Sequence, residues 1–195
     1  MFESIQGRLA ERQPMRAVVE AGGIGYLVHV PLSTSEALPA VGKEARLLLH
    51  PVVREDEWRL FGFATSEERE VFRSLLKVGG VGPAAAMSLL SGLGAAEGVR
   101  AVSTGDARAL TRVKGVGRKT ADRVVVELRD AWKEGGPSGR AAPSGAPLGP
   151  AEDAVRALEA LGMDSSEARR RVLGHVERLG TKVPIPDLVR AALRG

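Results

Sequence analysis

The sequence of 195 residues contains no cysteine, and this absence excludes two kinds of site. Without thiols the chain forms no disulfide and offers no thiolate ligand to a metal. Its three histidines, His29, His50 and His175, are widely separated, so no histidine metal cluster is expected. We therefore expect no metal and no cofactor.

Long apolar runs are also missing. No stretch reaches the roughly 20 apolar residues that a membrane helix needs. The amino terminus lacks the apolar core of a signal peptide. These features predict a soluble, cytoplasmic protein with no membrane partner.

Charge is present but unevenly distributed. The formal net charge is +4 and the sequence pI is about 9.8. Residues 64–134 hold 12 basic and 9 acidic residues, whereas residues 1–63 hold 7 and 8. A basic surplus of this size is compatible with nucleic-acid binding but does not require it.

The basic region contains an internal repeat. Residues 78–90 read VGGVGPAAAMSLL and residues 113–125 read VKGVGRKTADRVV, at an offset of 35. Each copy predicts a helix, a tight turn containing Gly-Val-Gly, and a second helix. Glycine permits positive φ in the turn and lets another backbone approach, and Pro83 suits a first helical position.

The second copy could be mistaken for a nucleotide-binding loop. A nucleoside-triphosphate P-loop needs glycine before its lysine, but Arg118 precedes Lys119. A dinucleotide fingerprint needs a third glycine where this chain has Thr120. Neither nucleotide motif is therefore present.

A helix that begins directly after such a turn can bind an anion. Its first amides lack partners within the helix, and the helix dipole adds positive charge there. Arg118, Lys119 and Arg123 lie at the start of the second copy, and no acid occurs between Asp106 and Asp122. The alternative is a helical hairpin that only packs, but duplication and basic charge favour a nucleic-acid backbone, bound without base sequence preference.

The chain divides into four regions. Residues 1–63 predict five or so short strands and a small barrel such as an OB-fold. Residues 64–134 read as helical, beginning with a Thr65–Glu68 capping box. Residues 135–150 contain 5 Gly, 4 Pro and 2 Ser and predict a flexible linker. Residues 151–195 predict a small module of three helices, so the overall class is α+β and multidomain.

Three consecutive acids, Glu55, Asp56 and Glu57, lie at a predicted hairpin tip. A solvated loop is the simplest interpretation. A second is the Mg²⁺ site of a structure-specific nuclease, although adjacent acids at one tip converge poorly on one ion. A third is electrostatic, since negative charge beside DNA repels its phosphates.

The repeated unit resembles the helix-hairpin-helix motif, which holds DNA by its phosphates. The order of barrel, VVRED hairpin, tandem GGVGP and KGVGRKTA turns, Pro/Gly linker and C-terminal helices resembles the RuvA family of bacterial Holliday-junction proteins. The likeness covers essentially the whole chain. It implies an OB-fold barrel, a tandem helix-hairpin-helix domain and a UBA-like C-terminal module.

The resemblance also implies a function and partners. Members of this family are non-catalytic subunits that bind four-way junctions in a square-planar form during recombination and DNA repair. They form a fourfold tetramer, sometimes paired as an octamer. The hexameric ring ATPase RuvB drives branch migration, and the resolvase RuvC is a further implied partner.

Site residues follow from the matching motifs. Glu55 and Asp56 match the family's acidic pins. The residues that match its phosphate-binding turns are Gly80, Val81, Gly82, Gly115, Val116, Gly117, Arg118, Lys119 and Arg123. The residues that match its apolar RuvB contacts are Leu158, Leu161 and Met163. One departure is Ala84, where members often carry a basic residue after the proline of the first turn.

Overall fold

The computed structural model describes four ranges of the chain: residues 2–133, 136–137, 150–179 and 184–194. Most of the linker predicted at residues 135–150 lies outside these ranges. Contacts within the chain divide it into two compact units, Met1–Ser144 and Gly145–Gly195. The barrel and the repeated helical region both belong to the first unit.

Five strands close into a barrel in the order β1-β2-β3-β5-β4. The strands are β1 (Ser4–Gln13), β2 (Arg16–Ala21), β3 (Ile24–His29), β4 (Glu44–Val53) and β5 (Trp58–Phe63). All neighbours pair antiparallel except β3 and β5, which pair parallel. Alternate residues such as Leu9, Val19 and Leu47 fill the interior, as expected for a small barrel. The predicted OB-fold-like barrel is confirmed.

Two hairpins connect neighbouring strands of the barrel, and the second of them is the one predicted at the three consecutive acids. Gly22 and Gly23 connect β2 to β3 with φ of 59° and 80°, which suits a two-residue hairpin turn. The β4–β5 ladder ends at the pair Val53 and Trp58. Residues 54–57 therefore form an exposed four-residue loop, closed by the Arg54 amide donating to the Glu57 carbonyl at 2.9 Å. We call this loop the acidic tip.

A short helix that sequence patterns did not indicate, α1 (Leu32–Ala37), lies between β3 and β4. The first long helix, α2 (Ser66–Lys77), follows β5. The capping box of α2 is present, with Glu68 N–H donating to the Thr65 hydroxyl at 3.2 Å. Glu68 does more than cap, because its buried carboxylate also accepts from the Thr34 hydroxyl at 2.7 Å and the Ala64 amide at 3.1 Å. These bonds connect the barrel to the first helix of the repeat.

Four helices carry the repeat: α2, α3 (Pro83–Thr104), α4 (Ala107–Thr111) and α5 (Arg118–Lys133). Gly94 interrupts α3 with φ 73° and ψ 170°, so α3 consists of two segments that meet at a kink. Phe63 at the end of β5 packs against Phe72 of α2, with ring centroids 5.0 Å apart. One continuous apolar core therefore runs from the end of the barrel through the helices.

The second unit contains α6 (Pro150–Ala160), α7 (Ser165–Leu179) and α8 (Ile185–Arg194). The three helices predicted for residues 151–195 are present, and the first of them begins at Pro150. The Asp164 carboxylate accepts from the Glu167 amide at 3.3 Å and caps α7. Its small core is built from residues such as Leu158, Val172 and Leu188. None of the helices in the described ranges has the length and hydropathy needed to cross a membrane.

Candidate nucleic-acid interface

The two turns of the repeat have the same backbone geometry. We call residues 78–82 the first turn and residues 113–117 the second turn. Gly80 has φ 84° and Gly115 has φ 89°, a region that disfavours other residues. In each turn the valine after this glycine donates its amide to the carbonyl three residues earlier, at 3.0 and 3.1 Å. The duplication seen in the sequence is therefore a duplication of structure.

Val81 and Val116 match phosphate-binding positions of the motif, but neither side chain is exposed to a ligand. Both side chains are buried in the helical core, at 5% exposure. Both amides are already hydrogen-bonded within the turn. These valines hold the turns against the core, and the contact groups must come from their neighbours.

Gly82 and Gly117 are the neighbours that face open space. Neither has a left-handed φ, and a Cβ built on either would meet no atom within 4 Å. Their carbonyls accept the first helical bonds, from Ala86 at 3.1 Å and Ala121 at 2.9 Å. The first amides of α3 and α5 therefore point outward beside a surface from which side chains are missing.

The three predicted cations that follow the second turn, in α5, differ in their hydrogen bonds and ion pairs. Arg118 forms an ion pair with Asp122 at 2.9 Å, one helical turn away. Arg123 donates to the Gly79 carbonyl at 2.8 Å, and so links α5 to the first turn. Lys119 is exposed and makes no hydrogen bond or ion pair within the described part of the chain. Of these three cations, Lys119 is thus the most available to a ligand.

The acidic tip presents two of its three carboxylates to solvent. Glu55 and Asp56 are exposed, and neither forms a hydrogen bond or ion pair among the described residues. Glu57 instead pairs with Arg59 at 2.7 Å, and this hydrogen bond lowers the pKa of the Glu57 carboxyl. Across the described ranges, no group of three or more His, Asp or Glu residues is placed to hold a metal ion. This arrangement does not favour a nuclease site.

A cleft separates the base of the acidic tip from the first turn. Its barrel side is formed by Val52, Arg54, Glu57 and Arg59, and its helical side by Gly82, Pro83 and Ala84. The sequence did not single out Arg54 or Arg59. The alternation of β5 could have indicated that Arg59 shares a face with its register partner Val52, but not that this face meets the first turn.

The apolar residues proposed for partner contact also differ in exposure. Leu158 is fully buried in the core of the second unit. Leu161 is 66% exposed, and Met163 is partly buried against the same core. Of these three predicted contacts, Leu161 and Met163 offer side-chain surface to a partner, while Leu158 belongs to the core beneath them.

Comparison with known proteins identifies matching sequences along the chain. Residues 1–62 match the profile of the RuvA N-terminal domain, and residues 72–130 match that of the SAM-like helix-hairpin-helix tandem. A protein of Halorhodospira halophila is 45% identical over all of both chains. A protein of Pseudomonas syringae is 43% identical over all of this chain and 99% of its own. Both are named Holliday junction branch migration complex subunit RuvA.

Proposed function

The chain belongs to the RuvA family, and from this membership we propose that it binds four-way DNA junctions as the non-catalytic subunit of a branch-migration complex. Its roles are then in homologous recombination and DNA repair. The ATPase that supplies the energy is the partner RuvB. A DNA substrate in a bacterial cell also supports the expected cytoplasmic location.

The observation that carries this proposal is the open space at Gly82 and Gly117. Sterics within the fold do not require glycine at either position, because each has an ordinary φ and no atom near its Cβ site. Glycine there suits the start of a helix and also lets an external backbone approach the first amides of that helix. Two such sites in one unit can hold two stretches of DNA backbone without reading bases.

The exposed acids are the reason to expect that the protein prefers four-way junctions to linear duplex. In the fourfold tetramer of this family, Glu55 and Asp56 would be repeated around the axis, so eight carboxylates would crowd one area. Like charges about 4 Å apart cost roughly 1 kcal/mol in water and roughly 4 kcal/mol near a protein surface. Such repulsion does not stabilise a fold, but it can push phosphates outward and hold strands apart.

The second unit is the proposed docking site for RuvB. Leu161 lies exposed just after α6. Contiguous exposed apolar surface is typical of protein interfaces. Nothing in the sequence motifs of the chain binds a nucleotide, so the motor belongs to a partner. The family resemblance adds RuvC as a further partner on the assembled junction.

A gel shift comparing a four-way junction with a linear duplex of equal length tests the proposal most directly. We expect tighter binding to the junction. Equal affinity for both would indicate a general duplex-binding module instead. The same reactions with Mg²⁺ and labelled strands test the nuclease alternative, which requires cleavage by the pure protein, whereas we expect intact strands.

The acidic tip supplies a sharper prediction. Replacing Glu55 with Gln and Asp56 with Asn keeps size and hydrogen bonding but removes charge. We expect the double variant to bind junctions at least as tightly, to bind duplex better, and to lose discrimination between them in the same gel shift. Weaker junction binding with unchanged duplex binding would mean that the acids act by direct contact rather than by repulsion.

A further inference from the structure

The two copies of the repeat differ in charge where their backbones are alike. At the offset of 35, Arg118 and Lys119 of the second copy correspond to Pro83 and Ala84 of the first. No basic residue lies between Lys77 and Arg100. The first turn therefore leads into an exposed helix start as the second turn does, but Pro83 offers no amide there and its own segment has no cation beside it.

Cations reach the first turn from other segments: Arg123 of α5 donates to the Gly79 carbonyl at 2.8 Å, and two arginines of the barrel face the start of α3. Arg54 and Arg59 line the cleft opposite Gly82 and Ala84. Arg59 pairs in register with Val52, which lines the same cleft, so this face of the β4–β5 hairpin is directed at the first turn. The cleft has a volume of about 180 Å³, whereas one water needs only about 10–15 Å³. A group of several heavy atoms can enter it.

The ion pair with Glu57 leaves Arg59 able to bind an anion. A guanidinium has five N–H donors in a planar fork, and one carboxylate uses at most two of them. The pair holds Arg59 by one Nη atom, 2.7 Å from Glu57, while the side chain remains half exposed. Glu57 thus positions the guanidinium at the cleft and does not exhaust its donors.

We propose that this cleft binds a phosphate of the DNA backbone, and that Arg59, with Arg54 beside it, supplies from the barrel the positive charge that residues 78–99 lack on the cleft side of the first turn. The inference rests on the proposed function, since DNA must be bound before one contact can be measured. The cleft adjoins the acidic tip, so the phosphate it holds lies next to the point where strands separate. Attraction at Arg59 and repulsion at Glu55 and Asp56 then act on neighbouring phosphates.

The test is the salt dependence of junction binding by the full chain. Arg59→Gln should lower the slope of log K against log salt by about one unit for each engaged subunit, and Arg59→Lys should keep it. Arg100→Gln is the matched control, because Arg100 is also exposed and paired with a glutamate, Glu97 at 2.6 Å, but lies beyond the kink of α3. We expect the control to leave the slope unchanged.

A rescue variant separates loss of charge from loss of structure. Ala84 is exposed and lines the cleft, at the position that corresponds to Lys119. Adding Ala84→Lys to Arg59→Gln should restore the slope, because it places a cation at the same cleft from the other side. If Arg59→Gln behaves like Arg100→Gln, or if Ala84→Lys restores nothing, the inference is wrong. If the unaltered chain shows no preference for junctions, the proposed function itself has failed.

Discussion

Among the three predicted cations at the start of α5, Lys119 is the one that has no partner among the described residues. Arg118 is paired with Asp122, and Arg123 is bonded to the Gly79 carbonyl. Arg123 keeps unused N–H donors but is held at the first turn, so it reaches a ligand elsewhere only by giving up this bond. Lys119 needs no such rearrangement, and its ammonium can meet a phosphate directly.

Replacing Lys119 with Ala should weaken binding to all DNA sequences alike and lower the salt slope by about one unit for each engaged subunit. Phosphate contacts release counterions but carry no base information, which is the reason for both effects. Lys43→Ala is a suitable control, since Lys43 is exposed and precedes β4, whose opposite end leads to the acidic tip. A slope that stays constant, or a loss confined to certain base sequences, would contradict phosphate contact.

His50 gives the first unit a dependence of stability on pH. Burial first, and then the neighbouring Arg73 and Arg69, lower the pKa of His50 below its ordinary value of 6.5. Its Nδ1 accepts from Arg73 Nε at 3.4 Å, a bond that protonation there would remove. The neutral imidazole is therefore the form that the folded state favours.

As the pH falls below about 6.5, the unfolded chain takes up this proton first. The stabilisation is present above the unfolded pKa and is lost as the pH falls through the lower folded pKa. We expect the free energy of unfolding to be smaller at pH 5 than at pH 7.5, and His50→Gln to show a shallower decline. Urea unfolding at both pH values measures this, and equal declines in the two proteins would exclude His50 as a source.

At the scale of elements, the two glycines of each turn have separate tasks. Gly115 has φ 89° and serves the conformation of the second turn. Gly117 has no left-handed φ and faces open space, so the absence of a side chain leaves room for the backbone of a bound DNA strand. The sequence motif contains both glycines but does not distinguish them.

Alanine at the two positions should therefore separate stability from binding. Gly115→Ala should destabilise the fold by about 1–2 kcal/mol, because an L side chain is strained at this φ. Gly117→Ala should lower the thermal midpoint less than Gly115→Ala, because its φ is ordinary and only the N-cap preference for glycine over alanine is lost, but it should weaken DNA binding, since its methyl group occupies the space of the approaching backbone. Thermal unfolding and a gel shift on both variants check this; full affinity in Gly117→Ala would rule out close approach.

At the scale of the whole molecule, a buried carboxylate and the shared apolar core together place the acidic tip and the two turns in a single unit. Glu68 begins α2 but accepts from Thr34 of α1 and from Ala64 after β5. Each such hydrogen bond contributes about 1 kcal/mol, and losing its buried partner costs about 1–3 kcal/mol. The barrel is thereby fastened to the helices that carry the turns.

The second unit should be separable from DNA binding. It has its own core around Leu158, Val172 and Leu188, and its contacts cluster apart from those of Met1–Ser144. A chain that ends at Gly135 should keep junction binding in a gel shift but lose branch migration driven by the partner ATPase. Adding the second unit as a separate polypeptide should not restore migration, and loss of junction binding on truncation would contradict this division.

The sequence by itself determined those features whose causes are local. Two glycine turns at an offset of 35, the capping box at Thr65, the hairpin around the acidic tip and the three C-terminal helices depend on residues within a few positions of each other. Turn and helix signals act over such distances, so these predictions agree with the structure. The barrel followed from the density of short strands, and the comparisons confirm it.

Only the tertiary structure decided how distant segments meet. The bond from Arg123 to Gly79 spans 44 residues, and Glu68 reaches Thr34 across 34. Arg59 faces Ala84 only because the barrel is fastened to α2, and no local pattern in either segment records that contact. Burial of Val81 and Leu158 depends likewise on packing, since an apolar residue in a motif reads the same whether it faces a core or a partner. The arrangement of charge around the first turn is therefore a property of the fold, because it is created by residues that the chain keeps far apart.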